Sequence, residues 1–124
     1  MDVLAIDHVQ LVMPQGEEDK ARIFYEGILG IPETPKPAKL AKRGGVWFEN
    51  KYVKIHLGVE DNFLPARKAH PALVVSGLEH LITKLEKEGY VVSEDHNIPG
   101  VIRAFSYDPF GNRIEFIQSS NGER

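Results

Sequence analysis

Hydrophobic and polar residues alternate along residues 6–12 (Ile-Asp-His-Val-Gln-Leu-Val), with Val9 and Leu11 on one side and His8 and Gln10 on the other, the period of a strand with one buried face. Pro14-Gln15-Gly16 breaks that run. Over 17–29 the period turns helical: Ala21, Phe24, Tyr25, Ile28 and Leu29 recur on one face, acids occupy the first turn, and Gly30 stands just past the end. Pro32, Pro35 and Pro37 predict an irregular, extended segment over 30–38. Residues 45–49 and 52–58 predict two strands joined at Asn50-Lys51 as a hairpin. A polar connection over 60–69 follows, and then the order restarts. Residues 71–75 predict a strand, and Leu78, Leu81, Ile82 and Leu85 mark a helix closed by Gly89. Strands are predicted at 90–92, 101–107 and 113–117, with a loop at 96–100, a tight turn at 108–112 and a frayed tail over 119–124.

The two halves read as copies. A shift of 59 residues lays Lys54-Ile55-His56-Leu57 on Arg113-Ile114-Glu115-Phe116, Phe48 on Tyr107 and Leu29-Gly30 on Glu88-Gly89, and a shift of 62 lays His8 on His70. One β-α-β-β-β unit has a helix on one sheet face only and closes no core comfortably, so two units side by side are expected. The predicted class is α+β: two βαβββ modules, about 4–60 and 69–118, forming one curved eight-stranded mixed sheet with the helices on its convex side. Residues 1–124 are read as a single domain.

Composition narrows the function. Of 124 residues, 42% are apolar and 27% charged, which suits a globular chain. Fifteen Lys and Arg against 18 Asp and Glu give −3, which argues against an electrostatic nucleic-acid partner. With no cysteine there is no disulfide framework, Cys-ligated zinc, iron–sulfur cluster or thiol nucleophile. The N-terminus is acidic with only a short apolar run, and no stretch approaches the ~20 apolar residues of a membrane span. A cytoplasmic protein without a membrane partner is expected.

Strand parity then sorts the polar residues. Val53, Ile55 and Leu57 share one face of the fourth strand, opposite Lys54 and His56; in the last strand Ile114 and Phe116 oppose Arg113 and Glu115; in the first, Val9 and Leu11 oppose His8 and Gln10. The non-helix face thus carries His8, His56 and Glu115, joined by His70 through the repeat. Buried without partners, such groups each cost about 1–3 kcal/mol or more. A divalent cation satisfies all four and keeps an open position for Lewis-acid work. Trp47, Phe48, Phe105 and Tyr107 are candidates for lining a substrate cavity. Arg103 and Arg113 are rim charges, of which one turned inward could clamp a carboxylate or phosphate, and Arg103 is taken as substrate-binding. His80, on an exposed helix face, and His96, in a loop, are expected to be solvated. Asp108-Pro109-Phe110-Gly111 makes a tight turn whatever the activity.

Asp7-His8-Val9, His70 and Asp108-Pro109-Phe110-Gly111-Asn112-Arg113-Ile114-Glu115, set in paired βαβββ halves, resemble the vicinal-oxygen-chelate superfamily. That superfamily holds glyoxalase I, extradiol dioxygenases, methylmalonyl-CoA epimerase, fosfomycin-resistance transferases and the metal-free bleomycin-resistance proteins. The resemblance runs from Ile6 to Ile117. It implies one divalent ion (Zn, Ni, Fe(II), Mn or Co) held by His8, His56, His70 and Glu115, with His56 a fourth ligand or the general base. It also implies a small oxygen-chelating substrate and a homodimer. Glyoxalase I carries Glu, and the epimerase Gln, where this chain has His56. The dioxygenase signature expects an apolar–Tyr pair where Ala104 and Phe105 stand. His8, His70 and Glu115 match the His, His, Glu set of fosfomycin resistance. The alternative is a metal-free small-molecule binding protein of the bleomycin-resistance type.

Overall fold

In the computed structural model, which describes residues 1–120, the first alternating run becomes β1 (Val9–Met13), with Leu11 and Met13 buried and Gln10 exposed on the other face. An α-helix, α1 (Glu18–Ala21), continues directly into a π-helical stretch, Arg22–Ile28. β2 (Glu33–Thr34), α2 (Ala38–Ala41), β3 (Val46–Glu49) and β4 (Lys54–Val59) complete the first compact unit, Met1–Leu64. The second unit, from Pro65, holds β5 (Ala72–Val75), α3 (Leu78–Lys87), β6 (Ser93–Asp95), β7 (Arg103–Tyr107) and β8 (Arg113–Gln118).

The units repeat one topology. The first has a four-stranded sheet in the order β1-β4-β3-β2 and the second one in the order β5-β8-β7-β6. In each, the first strand lies parallel to the last (Gln10 opposite His56, Ala72 opposite Glu115), and the remaining pairs are antiparallel. The class is therefore α+β with two βαβββ modules, as the repeat predicts, its eight strands distributed over two mixed sheets.

Each helix covers one sheet face. Ala21, Phe24, Tyr25 and Ile28 are buried at helical spacing together with Val46, Phe48, Ile55 and Leu57. In the second unit Leu78 and Leu85 are buried with Ala104, Ile114 and Phe116. Each of the Val, Leu, Ile and Phe side chains among them contributes about 1.5–3 kcal/mol on leaving water.

Several local expectations are corrected. The helix expected over 17–29 is α-helical only at its start. Beyond it Leu29 N–H reaches back to the Phe24 carbonyl at 2.9 Å, a five-residue step, and the neighbours Phe24 and Tyr25 are both fully buried with their rings edge to face at 4.9 Å. The segment over 30–38 contains the edge strand β2. It leads into α2, where the amides of Leu40 and Ala41 donate to the Pro37 carbonyl, Pro37 presetting the turn. The strand expected at 90–92 is displaced to Ser93–Asp95, a polar edge strand, and Val91 is exposed. Of the tail expected to fray, residues 121–124 lie outside the described residues. Among the described residues no helix is long and apolar enough to cross a membrane.

Gly45 fixes the entry to β3. Its φ is +84°, and a Cβ there would lie 2.2 Å from the Leu57 carbonyl oxygen. Gly16 has a similar φ of +82° with nothing within 4 Å of such a Cβ. Gly45→Ala is expected to cost about 3 kcal/mol or more, strain plus clash, and Gly16→Ala only the ~1–2 kcal/mol of left-handed strain, as read from urea midpoints.

Candidate metal and substrate site

The helix-free faces carry one polar cluster in each unit. In the first, His56 sits on the central strand β4, between Gln10 of β1 and Trp47 of β3. Its ring is stacked on both sides: Trp47 at 3.9 Å between centroids with planes 4° apart, and His8 at 4.3 Å and 20°. Nε2 of His56 lies 2.7 Å from a Glu49 carboxylate oxygen. A carboxylate accepts, so Nε2 carries the hydrogen and Nδ1 is the nitrogen left to take a proton. His8, immediately before β1, has Nδ1 2.9 Å from Asp7. That hydrogen bond, with the charge of Lys54, holds the Asp7 carboxyl below the usual carboxylate range.

In the second unit the parallel pairing of β5 with β8 brings His70 to Glu115. Glu115 N–H donates to the Pro71 carbonyl at 3.0 Å, and Nε2 of His70 lies 3.1 Å from Oε1 of Glu115. Nδ1 of His70 lies 2.8 Å from the Lys68 carbonyl, which can only accept, so Nδ1 carries the hydrogen. The Glu115 carboxylate likewise only accepts, so Nε2 donates to it. Arg103 donates from Nη1 to Oε2 of Glu115 at 3.0 Å and places Nη2 3.2 Å from Asp95. Burial pushes the Glu115 carboxyl up, but the hydrogen bonds from Arg103 and His70 outweigh it and hold it below the ordinary glutamate value. Phe105, directly across from Glu115, lies under the Arg113 guanidinium at 4.0 Å and edge-on to His70 at 5.5 Å. Tyr107 pairs with Arg113 across the strands, and the Arg67 guanidinium stands 5.8 Å from its ring.

Of the predicted residues, the structure brings together His8 with His56 and Trp47, and His70 with Glu115, Arg103 and Phe105. Among the described residues no group of three or more His, Cys, Asp or Glu side chains converges on one point. Phe48 is a correction. It points to the helix face, fully buried and stacked on Tyr25 at 5.3 Å, so it lines no cavity on the His56 face. The repeat is also one residue out of step there. The link between β3 and β4 spans residues 50–53 and that between β7 and β8 spans 108–112, so Trp47 corresponds to Phe105 and Phe48 to Ser106. His80 and His96 are exposed. Glu49, beside His56, and Asp95, beside Arg103, are the acidic neighbours that sequence reasoning missed. Strand parity already places Glu49 on the face of Trp47; nothing in the sequence fixes the β6–β7 register that brings Asp95 to Arg103.

No protein-family model and no curated protein matches the chain. A solved protein from Bacillus anthracis, described as of the glyoxalase family, is 48% identical, aligned over 97% of this chain and 98% of its own, with a TM-score of 0.91. The chain belongs to the glyoxalase family. Its fold is shared by the fosfomycin resistance protein FosX from Listeria monocytogenes, 15% identical over 99% of both chains with a TM-score of 0.77. TnmS3, an antibiotic binding protein from Streptomyces sp. CB03234, is 25% identical over 95% of this chain and 100% of its own, with a TM-score of 0.66. The family thus lies in the vicinal-oxygen-chelate superfamily that the sequence motifs resemble, whose members generally use a divalent metal.

Two donors of this glyoxalase-family chain have a spacing that suits such an ion. A carbonyl-backed imidazole and a carboxylate oxygen stand 3.1 Å apart. That is close to the ~3 Å separating two ligands at right angles on an ion with bonds of about 2.1 Å. His56 stands in the same kind of contact, its Nε2 2.7 Å from Glu49, but no backbone carbonyl is recorded behind its other nitrogen as Lys68 is behind that of His70.

Proposed function

We propose that the protein is a divalent-metal-dependent enzyme acting on a small oxygen-chelating substrate. His70 and Glu115 hold the ion, His8 is the further ligand that the family resemblance implies, and His56 is the general base. The observation that carries this reading is the His70–Glu115 pair, with Nδ1 of His70 backed by the Lys68 carbonyl. When bound, the ion polarises a substrate oxygen as a Lewis acid. The chain's own part is positioning and proton transfer. The Trp47 and His8 rings hold the plane of His56, Glu49 fixes its Nε2–H tautomer and stabilises the imidazolium formed when Nδ1 takes a proton. Trp47, Phe105 and Tyr107 supply aromatic surface for the substrate, and Arg103 keeps the Glu115 carboxylate ionised. The reading includes a homodimer in the cytoplasm.

Glyoxalase, ring-cleavage and thiol-transfer substrates are to be screened with protein loaded in turn with Ni, Zn, Mn, Co and Fe(II). The expected result is turnover in one class, abolished by EDTA. His56→Gln is then expected to lower kcat/KM by about 10²- to 10⁴-fold with the metal content unchanged. Specific small-molecule binding by metal-stripped protein, with no turnover under any ion, supports the other reading: a metal-free binding protein. The likeness to TnmS3 and the neutralisation of Glu115 by Arg103 favour that alternative.

A further inference from the structure

The two arginines beside Glu115 are in different states. Arg103 is matched twice, to Glu115 and to Asp95, at 3.0 and 3.2 Å. Arg113 shares the face of Glu115, two positions earlier on β8, and among the described residues no carboxylate lies within ion-pair distance of it. Both arginines have a buried Nε without an acceptor, but only Arg113 lacks acidic partners on its remaining nitrogens. Its guanidinium is laid over the Phe105 ring at 4.0 Å, which limits its rotation, and with Nε buried the two Nη groups are the end-on fork left for two oxygens. A second cation, Arg67, stands over Tyr107, the cross-strand partner of Arg113. The Glu115 carboxylate would repel an anion here, but Arg103 and His70 already hold that charge.

We propose that Arg113 is an oxyanion subsite, so that the ligand carries an anionic oxygen group, such as a carboxylate or phosphate, besides its chelating oxygens. As a statement about substrate this rests on the metal-enzyme reading; the subsite itself does not, and is tested without metal. In EDTA-treated protein the Arg Nε–H resonance that disappears in Arg113→Lys is followed while inorganic phosphate is added, with sodium chloride at equal ionic strength as the control. A saturable shift specific to phosphate is expected, with affinity lower by about tenfold or more in Arg113→Gln, the loss of one charge-assisted pair. Metal content, read on the same preparations after metal loading and before EDTA treatment, is expected to be equal in wild type and Arg113→Gln. No saturable shift, a shift equal to that with chloride, or unchanged phosphate affinity in Arg113→Gln overturns the proposal. A wild-type protein that takes up no metal yet shows the phosphate shift removes the enzyme reading and leaves the subsite standing.

Discussion

Asp108→Ala is expected to lower the stability of the protein by about 3–5 kcal/mol, read as a fall in the urea midpoint. The Asp108 carboxylate is buried and holds the turn before β8 together. Oδ1 accepts from the amides of Phe110 and Asn112 at 2.9 Å each, and Oδ2 from the Asn112 side-chain amide at 2.9 Å. Asn112 in turn accepts from the Ala66 amide at 2.9 Å, and Arg113 N–H donates to the Ala66 carbonyl at 2.8 Å. Removing the carboxylate strands buried donors and loosens the chain leading to His70. Against a typical total of about 5–15 kcal/mol the loss is large. Asp108→Asn keeps an acceptor for the two backbone amides and is expected to cost about half as much. A midpoint unchanged in Asp108→Ala would show the turn to be held by backbone conformation alone, with Gly111 at a φ of +92°.

Glu115→Gln is expected to do two things at once. It removes the carboxylate ligand, so bound metal should fall to about a tenth of the wild-type content or less. It also takes one counter-charge from Arg103, which keeps Asp95, so the stability cost should be about 1–3 kcal/mol rather than that of a fully orphaned charge. The pH dependence carries a sign. The folded Glu115 carboxyl lies below its ordinary value, so its contribution is present above the unfolded pKa and is lost as pH falls through the folded one. The gap between wild type and Glu115→Gln should therefore be full at neutral pH and close below about pH 4. A gap that persists unchanged in acid would contradict the ionised pair.

How much was legible in the sequence can be traced residue by residue. Period-two alternation put His56 opposite Ile55 and Leu57, and Glu115 opposite Ile114 and Phe116, and in both units the apolar set is buried against the helix. The same rule, applied to β3, separates Trp47 from Phe48, because adjacent strand residues face opposite ways. Naming both as cavity residues overrode that rule, and Phe48 proves to be core. Parity also places Glu49 beside Trp47, so the carboxylate that fixes the His56 tautomer was within reach of the pattern. The π-helical stretch was not: its apolar spacing over Ala21, Phe24, Tyr25 and Ile28 is that of an ordinary helix. Nor was the pairing of Arg103 with Asp95, which depends on where a short polar strand docks on an edge. Pattern carries face and period; register and side-chain partners are set by packing.

The most direct test of the metal centre is metal content by mass spectrometry on tag-free protein, with His8→Ala, His70→Ala and His56→Gln measured alongside. The account predicts about one ion per chain in wild type, lost in His8→Ala and His70→Ala and retained in His56→Gln. No bound ion in wild type after incubation with Ni, Zn, Mn, Co and Fe(II), or an ion that survives His70→Ala, would contradict it.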